Sequence, residues 1–135
     1  MTPQEAVDAI GTVFKDAWDT TGGTAVYDDL PGNVPNAETL WARLTVRHGP
    51  GGQASLAGDT GLRRWNAEGI VSVQVFAPMG DGAQAARNAA HVVMNAFRDA
   101  KLPVWFRNAR MNEVGASGAF FQINVLTTFS YDEVR

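Results

Sequence analysis

The chain has 135 residues, a formal charge of -3 and no cysteine. That length predicts a single domain over residues 1–135, able to bury roughly two-thirds of its unfolded surface. The composition excludes a disulfide framework, a thiol nucleophile and thiolate-held zinc, while a 45% hydrophobic fraction argues against disorder. An acidic chain is poorly suited to gripping phosphates. No apolar run approaches the ~18 residues of a membrane span. Met1-Thr-Pro-Gln-Glu5 has neither a basic region nor an apolar core, so a soluble, non-exported protein without membrane contact is expected.

The first element is a helix from about Pro3 to Trp18. Thr2-Pro3-Gln4-Glu5 forms a capping box with proline at the first helical position. Val7, Ile10, Phe14 and Ala17, with Val13 and Trp18 beside them, supply its apolar stripe. Trp18 reads as core, and Gly22-Gly23 end the element. Thr24 to Tyr27 is a short strand. Asp28 to Ala37 is a loop with two prolines. A strand follows in which Leu40, Ala42, Leu44 and Val46 alternate with Trp41, Arg43, Thr45 and Arg47, an apolar face against a basic-aromatic one.

His48 to Gly58 holds four glycines and a proline in eleven residues, the composition of a flexible excursion. Gly61 to Asn66 and Gly69 to Phe76 read as two strands, or as one broken at residues 66–69, with Val71, Val73 and Val75 facing one way. Helix two is expected from about Ala83 to Lys101, its core stripe Ala86, Ala90, Val93, Phe97 and Ala100. Asp81 suits its N-cap, and Leu102-Pro103 stops it. Val104 to Met111 is a strand, and Asn112 to Ala119 a turn. The most regular stretch comes last. Phe121, Ile123, Val125, Thr127, Phe129 and Tyr131 alternate with Gln122, Asn124, Leu126, Thr128 and Ser130, predicting one long strand with one buried face. The order α-β-β-β-α-β-β implies an α+β fold: an antiparallel-rich mixed sheet with two helices packed on one face.

Motifs that carry chemistry are weak here. Gly80-Asp-Gly82-Ala-Gln-Ala85 formally matches a dinucleotide fingerprint, but Asp81 would repel a pyrophosphate, and Arg107 and Arg110 stand where a ribose-binding acid is needed. His48 and His91 have no second histidine or carboxylate at metal spacing. No nucleophile elbow occurs, and Asp28-Asp29 reads as turn chemistry. Arg63-Arg64-Trp65 mixes bases with an aromatic, though a strand would turn Arg64 away from the other two. No catalytic residue, cofactor or metal is therefore expected. A small ligand-binding α+β domain would need convergent polar groups in a pocket, which the sequence does not present.

Four stretches, spanning nearly the whole chain in order, carry a resemblance. They are Trp41-Ala-Arg-Leu-Thr-Val46 after Tyr27-Asp28; Ala54-Ser-Leu-Ala-Gly58 followed by Arg64; Gly69-Ile-Val-Ser-Val-Gln-Val-Phe-Ala-Pro78 leading through Gly80-x-Gly82 into a helix; and Phe121 to Tyr131. In this pattern the chain resembles the tail terminator proteins of long-tailed bacteriophages and related prophages. The resemblance implies a virion subunit that forms a ring, hexameric in the family. Such a ring caps the tail tube, stops polymerisation of the major tail tube protein and joins the head connector, while DNA passes through the lumen without specific binding. Another connector ring, such as a head-completion protein, has a similar pattern. The family has no catalytic residues to carry over.

Charge is unevenly spread along the chain. Residues 1–42 carry seven acids and one lysine, and residues 43–110 nine bases and four acids. Two opposite patches meeting between copies would use this asymmetry. The expected contact residues are Arg43, Arg47, Arg63 and Arg64 against Asp28, Asp29 and Glu38. The polar loop Gly49, Pro50, Gly51, Gly52 and Gln53 is expected to order against a neighbour or the tube.

Overall fold

The computed structural model describes residues 1–27, 39–50, 52–53, 64–80, 82–101 and 103–134. Helix α1 spans Pro3–Trp18. Its capping box is complete: the Glu5 N–H donates to Thr2 Oγ1 at 3.1 Å, and the Thr2 N–H donates to Glu5 Oε1 at 3.2 Å. Two of the helix's orphan donors are thereby satisfied. The buried stripe is Ala6, Ile10, Phe14 and Trp18. It lies one position from the expected stripe at its N-terminal end, so Val7 faces a surface groove instead. A single 3-10 turn, Asp19–Thr21, follows, and Gly22 closes it at φ 75°.

Strands β1 (Thr24–Tyr27), β2 (Trp41–His48), β3 (Gly52–Gln53) and β4 (Arg64–Pro78) precede helix α2 (Gly82–Asp99). Strands β5 (Trp105–Ser117) and β6 (Phe120–Val134) complete the chain. The sheet runs β1-β2-β4-β6-β5, with β3 paired to β4. Among the described residues only β1–β2 is parallel; the remaining pairs are antiparallel. The fold is α+β, with both helices on one face of a mixed sheet. Val71, Val73 and Val75 of β4, and Ile123, Val125, Phe129 and Tyr131 of β6, point into the same buried cluster as α1 and α2. The long final strand is flanked by β4 and β5.

Three expectations are corrected. First, β4 is continuous through Gly69. A Cβ at that position would lie 2.1 Å from the Arg47 carbonyl oxygen and 2.7 Å from the Phe129 ring. The glycine admits Phe129 rather than breaking the strand. Second, β5 runs on to Ser117 where a turn was expected from Asn112. Its irregular residues are absorbed as bulges between Arg107 and Arg110 and between Glu113 and Gly115, with Asn108 at φ 57° and Gly115 at φ 97°. Gly118 at φ 61° then turns the chain into β6. Third, the glycine-rich excursion contains structure: Gly52–Gln53 pair with Asn66 and Trp65, and the Gly49 N–H donates to the Glu68 carbonyl at 2.8 Å. Asp28, Asp29, Glu38, Gly51, Arg63, Asp81, the loop 54–58 and the expected strand start at 61–63 lie outside the described residues.

Candidate functional site

Alternation along the strands gives the sheet a second face, which neither helix covers. Lateral register defines its rows. Arg43 pairs with Gln74, Gln74 with Asn124, and Asn124 with Asn112. Two residues further along β2, Thr45 leads through Ser72 and Leu126 to Arg110. The next row runs from Arg47 through Ile70 and Thr128 to Arg107. The middle of the face therefore mixes polar residues with Ile70 and Leu126, with Glu68 one row further on, and arginines stand toward both sides.

At one end of this face Trp41 and Phe76 stack at 4.2 Å between centroids, with Phe120 edge-on to both. The Arg43 guanidinium lies 5.5 Å from the Trp41 ring centre, a cation–π contact. Trp41 is 3% exposed, and its indole Nε1 is buried without a hydrogen-bond partner. The expected "basic-aromatic" face of β2 is thus realised, with its tryptophan buried in an aromatic stack rather than presented. Gln122 Nε2 donates to Asn124 Oδ1 at 2.9 Å beside it.

The expected basic residues Arg43 and Arg47 stand on β2, next to edge strand β1. Arg47 is exposed and Arg43 half-buried. They share an edge of the sheet with the acidic helix α1, whose Glu5, Asp8 and Asp16 are exposed, as is Asp19 in the 3-10 turn after it. Asp28, Asp29 and Glu38, the acids expected to meet Arg43 and Arg47 across copies, lie outside the described residues. Arg64 pairs with Val134 through its backbone.

The bases at the far side of the sheet were not among the contact residues expected from sequence. Trp105, Arg107 and Arg110 pair with Ser130, Thr128 and Leu126, alternate residues of β6. All three therefore share one face of the edge strand. The bulge brings this about, because Asn108 and Ala109 stand against Thr127 alone. Without it, two residues three apart in a strand would point to opposite faces. The Thr127 hydroxyl donates to the Arg107 carbonyl at 2.9 Å and holds the bulge. Trp105 is 47% exposed, and Met111 and Val114 of the same strand are also exposed. Arg107 and Arg110 make no ion pair among the described residues. Arg110 Nη1 donates to the Asn108 carbonyl at 2.9 Å.

Between α1 and β2 runs an open groove of about 570 Å³. Val7, Gly11, Tyr27, Leu44 and Val46 give it an apolar floor, and Gln4, Asp8, Thr12, Lys15 and Arg47 its rim. Burial holds the Tyr27 hydroxyl above its ordinary range. Asp8 accepts a hydrogen bond from Gln4 Nε2 at 2.9 Å and makes no ion pair among the described residues. Lys15 pairs with Asp19 at 3.0 Å, and that bond raises the Lys15 pKa. On the other helix Arg87 meets Glu113 at 2.6 Å. The hydrogen bond from Arg87 lowers the Glu113 pKa, and the same bond raises that of Arg87.

The histidines hold structure. His48 Nε2 lies 2.8 Å from the Tyr131 hydroxyl, and its ring stands edge-on to Phe129. The two rings meet across Gly69, which lies between them in the lateral row. His91 bonds Asn95 at 3.0 Å on the exposed side of α2. Among the described residues no three His, Cys, Asp or Glu side chains are grouped to hold a metal. No helix there is long and apolar enough to cross a membrane.

Among solved structures, one without a functional description matches with a TM-score of 0.70 at 16% identity, over 100% of this chain and 98% of that one. A chain in the virion of a native gene transfer agent particle matches with a TM-score of 0.50 at 22% identity, over 92% of each chain. At these identities the likeness is one of fold. No family model matches the sequence, and no curated protein matches it.

Proposed function

We propose that this chain is a structural subunit of a phage-like virion and, within it, the tail terminator. The observation that carries the reading is the likeness of fold to a chain of a gene transfer agent virion, over 92% of each chain. The sequence resemblance to tail terminators points the same way and supplies the finer role. Copies close into a ring, hexameric by that resemblance, at the head-proximal end of the tail. The ring caps the tube, stops the major tail tube protein from adding further, and meets the head connector. DNA passes through without specific binding. In this role the protein is no enzyme and takes no cofactor, and assembly takes place in the host cytoplasm.

An uncovered sheet face and an apolar groove suit a protein whose work is contact. Association needs buried apolar anchors within a polar rim, and the chain offers both in Trp105 and in the groove beside α1. The test is native mass and electron microscopy of the purified protein, followed by its addition to polymerising tube protein. Six-membered rings that halt tube growth at substoichiometric amounts are expected. A protein that stays monomeric at high concentration and leaves tube length unchanged would overturn the reading.

A further inference from the structure

Two features of the surface fit each other and lie at opposite edges of the sheet. At the β5 edge, Trp105, Arg107 and Arg110 form a row on the uncovered face. Tryptophan and arginine are the residues most enriched among those that carry interface energy. At the β1 edge lies the groove of about 570 Å³ between α1 and β2, with Asp8 on its rim and Asp16 further along the same helix. Both carboxylates are exposed and make no ion pair among the described residues. The row is basic and aromatic; the groove is apolar, with Asp8, Arg47 and the Asp19-paired Lys15 on its rim and Asp16 beyond it on α1.

We propose that the occupant of the α1–β2 groove is the β5 edge of a second copy of this chain. Trp105 seats on the apolar floor made by Val7, Leu44 and Val46, and Arg107 and Arg110 face Asp8 and Asp16. The contact joins unlike surfaces, so each copy keeps one free groove and one free edge. Repetition then gives either a closed ring or an open filament, according to whether the rotation closes. The bulge at Asn108–Ala109 is part of this device, because it brings Arg110 onto the face that already bears Trp105 and Arg107. The inference rests on the proposed ring and names its contact surfaces.

The experiment is a two-way charge swap on the full chain. One variant carries Arg107→Glu and Arg110→Glu, the other Asp8→Lys and Asp16→Lys. Circular dichroism checks that each is folded. Assembly is followed by sedimentation velocity and native mass. Alone, each variant should require at least about tenfold more protein to assemble than the unmodified chain, since like charges then face each other. In an equimolar mixture every groove can meet a complementary edge, so assembly should return, with the two variants alternating. That recovery also shows both variants to be folded. Variants that assemble alone as the unmodified chain does would overturn the proposed contact while leaving the ring intact. Impaired variants that do not rescue each other would overturn it too. A loss of binding to single-stranded DNA with assembly unchanged would assign the row to nucleic acid instead. An unmodified chain that never assembles would overturn the ring itself, and this contact with it.

Discussion

Gly69 occupies the middle of a lateral row in which His48 and Phe129 meet above it. An aromatic side chain from a neighbouring strand here covers the backbone that the glycine leaves bare. Gly69→Ala must move either the Arg47 carbonyl or the Phe129 ring, which the added methyl would meet at 2.1 and 2.7 Å. Overpacking of a core typically costs about 1–3 kcal/mol, and urea unfolding should show a loss of that size. Gly11 is the contrasting case: it is helical, and an added Cβ finds nothing within 4 Å. Gly11→Ala should raise stability by roughly 0.5–1 kcal/mol through helix propensity alone. A loss at Gly11, or no change at Gly69, would show that these close approaches are misjudged. Glu113 gives a pH-dependent case. Its hydrogen bond from Arg87 lowers its folded pKa below the ordinary 4.5. Stability from the pair is therefore present above the unfolded value and lost as pH falls through the lower folded one. The acid limb of unfolding should be shallower in Glu113→Gln, whereas an unchanged limb would mean that the pair is too exposed to matter.

At the scale of elements, α1 was legible because its signals agree. The capping box marks its start, and the paired glycines mark its end. The long final strand was legible because period 2 persists without interruption from Phe121 to Tyr131. The first half of strand β5 was legible as a strand, but its bulges and its continuation from Asn112 to Ser117 were not, for a physical reason. Asn108, Gly115 and Gly118 are the residues that accept positive φ, and all three use it, yet only Gly118 makes a turn. The other two make bulges, which sequence cannot tell from turns because both need the same backbone. The cost reached the site: without the bulge, Arg110 does not read as sharing a face with Trp105 and Arg107. The charge asymmetry was visible as composition, but its placement required the strand order, which carries β2 and its arginines to the acidic side. Asn108→Val tests the bulge, since a β-branched residue in the left-handed region costs about 1–2 kcal/mol. Asn108→Gly should cost much less. Equal stability in the two variants would mean that the left-handed conformation at 108 is not required.

Over the whole molecule, charge and apolar contact have separate consequences for assembly, and salt distinguishes them. Helix α1 exposes Glu5, Asp8 and Asp16, while Arg107 and Arg110 are exposed on β5 at the opposite edge of the sheet. Such charges orient an encounter but contribute roughly 0–1 kcal/mol per exposed pair. Two pairs therefore account for about 2 kcal/mol at most, or up to about thirtyfold in an association constant. The screening length falls from about 10 Å at 0.1 M salt to about 3 Å at 1 M. Over that range self-association should weaken by several-fold and by no more than about thirtyfold. Trp105 acts differently. It is 47% exposed in the isolated subunit, so burying the rest of it in a partner supplies attraction that salt does not screen. Truncating a central aromatic anchor typically costs 2 kcal/mol or more. Trp105→Ala should therefore weaken assembly by at least about thirtyfold at every salt concentration, leaving the slope against salt unchanged. The arginine variant should instead flatten that slope. Sedimentation of the three proteins across a salt series separates these outcomes. A Trp105→Ala chain that assembles normally would remove the apolar anchor from the edge, and an arginine variant with an unaltered salt slope would remove the charges.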